Sequence, residues 1–140
     1  MKNEYLKKIS SLINDLNGTQ FEDEFDFLIR VIKNGTDEYE ANLIMDVMCE
    51  LAEMQWETYE ILPELIRRNL GDVIIKIWNR NSLDSTEKLV AIIAKLGLGN
   101  ALIYLSTVEN DIINPAVKNE IASAIVEFGN HVDDPYSGMK

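Results

Sequence analysis

The first half of the chain contains four regularly spaced carboxylates that could act together in metal binding or acid–base catalysis. Asp46, Glu50, Glu53 and Glu57 follow one another at intervals of four, three and four positions, which places them on one ridge of a helix. Grouped acids of this kind can bind a metal ion or exchange protons with a substrate. No histidine or other orienting group accompanies them, so a solvated helix face and a surface for a basic partner are the stronger interpretations.

The other residue types that commonly carry catalysis are few and isolated. His131 is the only histidine, and no metal-ligand spacing surrounds it. Cys49 is the only cysteine. The adjacent Glu50 would raise the pKa of its thiol, so we expect a packing role. The chain has no glycine-rich phosphate loop, nucleophile elbow or EF-hand loop. We therefore expect no catalytic residues, no cofactor and no metal site.

The elements that would position these residues have the periodicity of amphipathic helices. Capping boxes at Thr19–Glu22 and Asp84–Glu87 and the pair Asn114–Pro115 predict helix starts, and Gly35 and Gly97 predict helix ends. We predict eight helices, over about residues 3–16, 19–34, 37–54, 59–70, 71–78, 84–96, 101–107 and 115–128. The predicted core stripe of the third helix consists of Tyr39, Leu43, Val47, Leu51 and Met54, widened by Ile44 and Met48.

Three of the predicted helices resemble one another. Residues 43–52, 88–97 and 120–129 share aliphatic residues interleaved with small ones, at offsets of 45 and 32 residues. Repeats of helical pairs have periods of roughly 34 to 47 residues. We predict an all-α fold in which antiparallel helix pairs stack as a short HEAT-like α-solenoid, with an irregular helical bundle as the alternative. One domain would cover residues 1–130, followed by an irregular tail over 131–140.

The negative charge of the chain is concentrated in one segment. The whole chain carries a formal charge of −11, from 24 acids and 13 bases. Residues 22–60 hold twelve of the acids and two of the bases, so this segment carries −10 and the remainder only −1. Such a charge disfavours binding to nucleic acid or to an anionic membrane. It favours a basic protein partner.

Cysteine content and hydropathy indicate where the protein works. A single cysteine allows no disulfide within the chain, which is typical of a reducing compartment. The N-terminal residues lack the apolar stretch of a secretory signal, and the longest purely apolar run, 89–94, is too short to cross a bilayer. We therefore expect a cytoplasmic protein.

The two tryptophans have different surroundings. Trp78 follows a run rich in isoleucine and is expected in the core. Trp56 lies among polar residues at the end of the acidic ridge, between Gln55 and Glu57. Because tryptophan is enriched at interface hot spots, Trp56 is either a core residue or an exposed anchor for a partner.

Three segments resemble the mostly helical immunity proteins of bacterial polymorphic toxin systems, in particular the immunity protein 30 family. They are YEILPELIRRN at 59–69, VIIKIWNRN at 73–81 and VEFGNHVDD at 126–134. The short length and the acidic first half add to the resemblance. It implies a cognate toxin domain as partner, inhibition by tight binding, and a protector in the cytoplasm. It supplies no catalytic residues.

The charge pattern and this resemblance together predict an immunity protein that binds and neutralises a basic toxin domain. The alternative is a helical-repeat adaptor or scaffold that binds another basic protein. The predicted contact residues are Glu38, Asn42, Asp46, Glu50, Glu53, Trp56 and Glu57.

Overall fold

The computed structural model describes residues 22–58, 60–129 and 132. These residues form six α-helices and a short 3-10 helix (Glu109–Asp111), without a β-strand among them, so the all-α class is confirmed for this part of the chain. The predicted helix over 3–16, the cap at Thr19 and nearly all of the predicted tail lie outside the described residues. The α-helices are α1 (Glu22–Lys33), α2 (Glu38–Glu57), α3 (Glu64–Ile77), α4 (Leu83–Leu96), α5 (Gly99–Val108) and α6 (Pro115–Phe128).

Local sequence explains where α1, α2 and α4 begin or end. The Asp37 carboxylate accepts a hydrogen bond from the backbone N–H of Glu40 at 2.7 Å, and the Glu40 side chain accepts one from the Asp37 N–H at 3.3 Å. This capping box starts α2. Gly35, after α1, and Gly97, after α4, have φ angles of 96° and 71°. Glycine adopts such positive values more readily than residues with a Cβ atom, and both helix ends fall where they were predicted.

The predicted start of α4 was wrong by two positions. Ser82, not Asp84, is the N-cap, and its hydroxyl accepts a hydrogen bond from the Ser85 N–H at 3.1 Å. Both residues suit this position, so sequence alone did not choose between them. The prediction for α6 is confirmed, because Asn114 caps the helix and Pro115 occupies its first position.

The helices pack chiefly against the second helix along the chain rather than the next one. Helix α2 packs on α4 and α4 on α6, while α1 packs on α3 and α3 on α5. Helices α2, α4 and α6 therefore form one row, and α1, α3 and α5 form a second. A single cluster of buried hydrophobic side chains, which includes Phe25 and Trp78, joins the two rows. The three similar segments, 43–52, 88–97 and 120–129, belong to α2, α4 and α6 (the second and third each end one residue beyond their helix), and these helices form one row.

The fourth and fifth predicted helices are one continuous helix, α3. The predicted boundary between them places Gly71 at the start of the fifth helix, but Gly71 lies buried inside α3, where the Asn100 side chain comes against its backbone. A Cβ atom on Gly71 would come within 1.9 Å of Asn100 Oδ1. Asn100 Nδ2 donates hydrogen bonds to the Arg68 carbonyl and to the Asp72 carboxylate, each at 2.9 Å. The glycine therefore makes room for α5 rather than ending a helix.

The core stripe predicted for α2 is partly wrong. Leu51 and Met48 are fully buried, but Leu43 and Met54 are only partly buried and Tyr39 is 59% exposed. The prediction followed steps of four residues, and each step overshoots a 3.6-residue turn by about 40°. Three such steps from Tyr39 to Leu51 therefore rotate by about 120° around the helix, which carries Tyr39 off the buried face.

We predict opposite effects of Gly71→Ala in two backgrounds. In the natural chain, the new Cβ displaces Asn100 and breaks its two hydrogen bonds, so the free energy of unfolding falls by about 1 kcal/mol. In an Asn100→Ala background no such conflict exists, and the better helix propensity of alanine raises the free energy of unfolding by up to about 1 kcal/mol. Urea unfolding of all four proteins measures this coupling. Equal effects of the substitution in both backgrounds would contradict the explanation given for Gly71.

Candidate partner-binding surface

The acidic ridge of α2 lies along the edge where this helix packs on α4. Asp46, Glu50 and Glu57 are exposed, and Glu53 is partly exposed. The row arrangement brings two lysines of α4 alongside the ridge, although α2 itself contains no basic residue.

Two of the four ridge carboxylates are paired with these lysines. Lys88 Nζ lies 2.5 Å from Asp46 Oδ1 and 2.9 Å from Asp84 Oδ2. The Lys95 ammonium pairs with the Glu53 carboxylate. Because the two lysines lie more than 30 residues further along the chain, the local sequence around the ridge gives no sign of them. Asp46 and Glu53 are thus partly neutralised within the chain.

The same interface changes the ionisation of two groups. The hydrogen bond from Lys88 to Asp46 raises the pKa of this lysine above its usual value, and the hydrogen bond to Asp84 adds a smaller increase. Lys88 therefore stays charged. Burial raises the pKa of the Cys49 thiol from 9.0 to about 11, and the positive charge of Lys88 opposes this effect. The direction predicted for Cys49 is confirmed, but the cause is burial rather than Glu50. A neutral, partly buried thiol fits a packing role.

The C-terminal end of the ridge carries Glu57 and Trp56. Trp56 is partly buried. Both Trp56 and Glu50 make at least one interaction within the chain. The end of α2 is fixed by Gln55, which is buried and donates a hydrogen bond from Nε2 to the Glu60 carbonyl at 2.9 Å. Trp56 therefore lies at a fixed helix end and is partly accessible to solvent.

The N-terminal end of the ridge borders an open groove of about 590 Å³. One wall is the start of α2, with Asp37, Glu38 and Asn42, and the other is the end of α3 with the turn at 78–81. A second hollow of about 300 Å³ shares Asn42 and continues along the start of α4 to Lys88. The two predicted contact residues Glu38 and Asn42 thus lie on this groove, at the opposite end of the ridge from Trp56.

The far wall of the groove is built around Trp78. Trp78 is buried, as predicted, and its Nε1 donates a hydrogen bond to Thr86 Oγ1 at 3.0 Å. The Arg80 guanidinium lies 5.7 Å from the centre of the Trp78 ring and 5.9 Å from that of Tyr104. It also donates a hydrogen bond to the Tyr104 hydroxyl at 2.5 Å. An exposed arginine is in this way held in one orientation by two aromatic rings.

Sequence reasoning missed the far wall, because residues 79–81 fall in the gap between two predicted helices, 71–78 and 84–96. The signal available was the string Asn79-Arg80-Asn81, in which three side chains with strong hydrogen-bonding capacity follow a tryptophan. Nothing local shows that this turn faces the start of α2, because residues 38 and 80 are brought together only by tertiary packing.

The arrangement offers charges and hydrogen-bonding groups to a partner. Among residues 22–58, 60–129 and 132, no three His, Cys, Asp or Glu side chains are grouped so that they could hold a metal ion. The only histidine, His131, lies outside this set. Within the same set, no helix has the length and apolarity needed to span a bilayer.

Comparisons of the chain with protein-family models, with curated proteins and with solved structures found no match. The resemblance to helical immunity proteins therefore stays a prediction from the sequence.

We predict that the ridge acids differ in their effect on stability. Asp46→Lys removes an ion pair and places a second cation beside Lys88, so the free energy of unfolding falls by about 1 kcal/mol. Glu57→Lys makes the same change of charge at the end of α2, where a cation suits the helix dipole, so the effect is within about 0.5 kcal/mol of zero. Urea unfolding at low ionic strength measures both. Equal losses would show that the pair with Lys88 contributes nothing.

Proposed function

We propose that this chain is an immunity-type protein that binds and neutralises a basic cognate toxin domain, without catalytic activity of its own. The observation that carries the proposal is the concentration of charge: −10 within residues 22–60 of a chain whose total is −11. Helix α2, which holds half of the acids in this segment, presents exposed carboxylates along one edge. The proposed contact residues are Glu38, Asn42, Asp46, Glu50, Glu53, Trp56 and Glu57.

Electrostatic attraction would act at two stages of the inhibition. At a distance, the negative field of α2 steers a positively charged surface towards it and raises the association rate. In contact, the acidic side chains pair with the basic groups by which a toxin binds its own substrate, and the inhibitor occupies that cleft. The same field repels nucleic acid and anionic membrane, so the proposed partner is a protein and the proposed location the cytoplasm.

The ion pairs within the chain refine which residues contribute most. Asp46 and Glu53 already have lysine partners on α4, so a partner's cation must compete with Lys88 and Lys95 for them. Glu57 belongs to no ion pair among the described residues. We therefore place the larger share of the binding free energy at Glu57, Glu38 and the accessible part of Trp56.

We also propose that the helices form a short HEAT-like α-solenoid, in a single domain over residues 1–130 followed by a tail. The packing of each helix on the second one along supports this arrangement, as does the presence of the three similar segments in one row. Stacked helix pairs present extended surfaces to partners. The same observation favours the second candidate function, a helical-repeat adaptor for another basic protein.

The test uses the product of the neighbouring gene, which the proposal takes to contain the toxin domain. Glu50→Lys combined with Glu57→Lys should lower the affinity for that domain at least about tenfold, mainly by slowing association, and should weaken the dependence on salt. Titration calorimetry and stopped-flow fluorescence at several ionic strengths measure these effects. The natural chain should also rescue cells that express the toxin domain, whereas the double variant should rescue them less well.

A matched control separates local from total charge. Asp111→Lys with Glu127→Lys changes two exposed acids outside the ridge, and both double variants carry a formal charge of −7 because each replacement adds two positive charges. The control should retain the natural affinity. Equal losses in the two double variants would remove the acidic ridge as the site. Tight binding of the toxin without any rescue would favour the adaptor.

A further inference from the structure

The groove between α2 and the turn at 78–81 has walls of opposite charge. On the α2 side, Asp37 is used by the capping box, while the Glu38 carboxylate is exposed and makes no ion pair with a described residue. On the other side, Lys76 and Arg80 are exposed. Two cations on one side of this groove stand out in a chain with nearly twice as many acids as bases.

Arg80 is prepared to bind a carboxylate. Its guanidinium is held against the rings of Trp78 and Tyr104, and it has no acidic partner among the described residues. A fixed guanidinium loses little conformational entropy when it binds, and its planar array of donors matches a carboxylate.

Three asparagines lie between and beside the charged groups. Within the described residues the side chains of Asn42 and Asn81 make no hydrogen bond, and Asn79 uses its Oδ1 to accept one from the Asn81 N–H at 3.0 Å. An asparagine amide has the same donor and acceptor as a peptide unit. Several amides along a groove therefore match the backbone of an extended segment, which carries its hydrogen-bonding groups on its edges.

We propose that this groove binds an extended segment of a protein partner that carries an acidic and a basic side chain. The acidic side chain pairs with Arg80, the basic one pairs with Glu38, and the asparagine amides hydrogen-bond with the backbone between them. The mainly polar lining argues against an amphipathic helix, which would need an apolar groove. Nucleic acid is disfavoured because acids of α2 form one wall.

This inference rests on the proposed function, since it takes the partner to be a protein. It adds that a loop of the toxin domain enters the groove while the rest of its basic surface lies along the ridge. The loop then determines which partner is accepted, because an arginine and a glutamate fixed on opposite walls reject a segment whose charges are reversed or absent.

The first experiment titrates short peptides into the 15N-labelled full chain. The probes are capped peptides with one Asp and one Lys separated by one, two or three glycines, and the controls are the same peptides with Asn and Gln instead. At least one acid–base peptide should shift the side-chain amide signals of Asn42, Asn79 and Asn81 and the Arg80 Nε signal, saturably and at least about tenfold more tightly than its neutral control. Equal binding of the neutral peptides, shifts elsewhere or no shifts would overturn the inference. So would inorganic phosphate that reproduces the same shifts.

Variants locate the two charged contacts. Arg80→Gln and Glu38→Gln should each weaken binding of that peptide about tenfold, with Arg80→Lys intermediate because it keeps the charge without the planar donors. The controls Arg68→Gln and Glu87→Gln, at other exposed positions on α3 and α4, should leave it unchanged. Thermal unfolding of each variant shows whether Arg80 is needed for folding. If the Arg80 variants do not fold, the signal shifts that the peptides cause in the natural chain test the proposed groove by themselves.

Failure of this inference differs from failure of the proposed function. If the toxin domain binds with natural affinity to the Arg80→Gln variant but not to the Glu50 and Glu57 reversal, the Arg80 side of the groove is not a contact and the ridge is. If an acid–base peptide binds the groove but the toxin domain does not bind the chain, the groove stands and the proposed partner is wrong.

Discussion

The packing of α2 on α4 is the constraint on which the rest of the molecule depends. It is the most extensive helix contact among the described residues, and both helices carry fully buried aliphatic side chains, among them Met48 and Leu51 of α2 and Leu89 and Ile92 of α4. Complete burial of such aliphatic side chains contributes about 1.5–3 kcal/mol each. The contact also fixes the rotation of α2 about its axis. That rotation decides which of its acids face solvent, which meet the lysines of α4, and which border the groove.

The acidic surface is therefore a consequence of core packing as well as of sequence. If α2 were rotated by one position, about 100°, its acids would turn away from Lys88 and Lys95. With the observed rotation, two acids are anchored by ion pairs and their neighbours are presented to solvent. A surface of this kind holds its charges in place before a partner arrives. Such preorganisation reduces the conformational entropy that binding removes.

Much of the described fold could be predicted from local sequence. The capping residue Asn114, the glycines at positions 35 and 97 and the core position of Trp78 are set by short-range chemistry, and they were predicted correctly. The continuity of α3 could not be predicted, because Gly71 signals a helix end in isolation and only the approach of Asn100 gives it another role. The lysine partners of the ridge were missed for the same reason, since the two helices meet only in the folded chain.

One side of the candidate site could likewise be predicted from local sequence, and the other side could not. Its acidic side comes from one helix and one sequence segment, so composition and helical periodicity were enough to find it. The wall around Arg80 comes from the turn between two other helices, and its rings belong to Trp78 and Tyr104, which are 26 residues apart. A groove assembled from three elements leaves only a weak trace in the sequence, here an asparagine on each side of an arginine.

Hydrogen–deuterium exchange of the chain, alone and with the product of the neighbouring gene, tests directly whether α2 and the groove form the proposed binding surface. On binding, amide exchange should slow in the first turn of α2, along the rest of α2 and in the turn at 78–81, while exchange in α6 stays unchanged. Protection confined to α6, or unchanged exchange throughout α2 while the complex is formed, would contradict it.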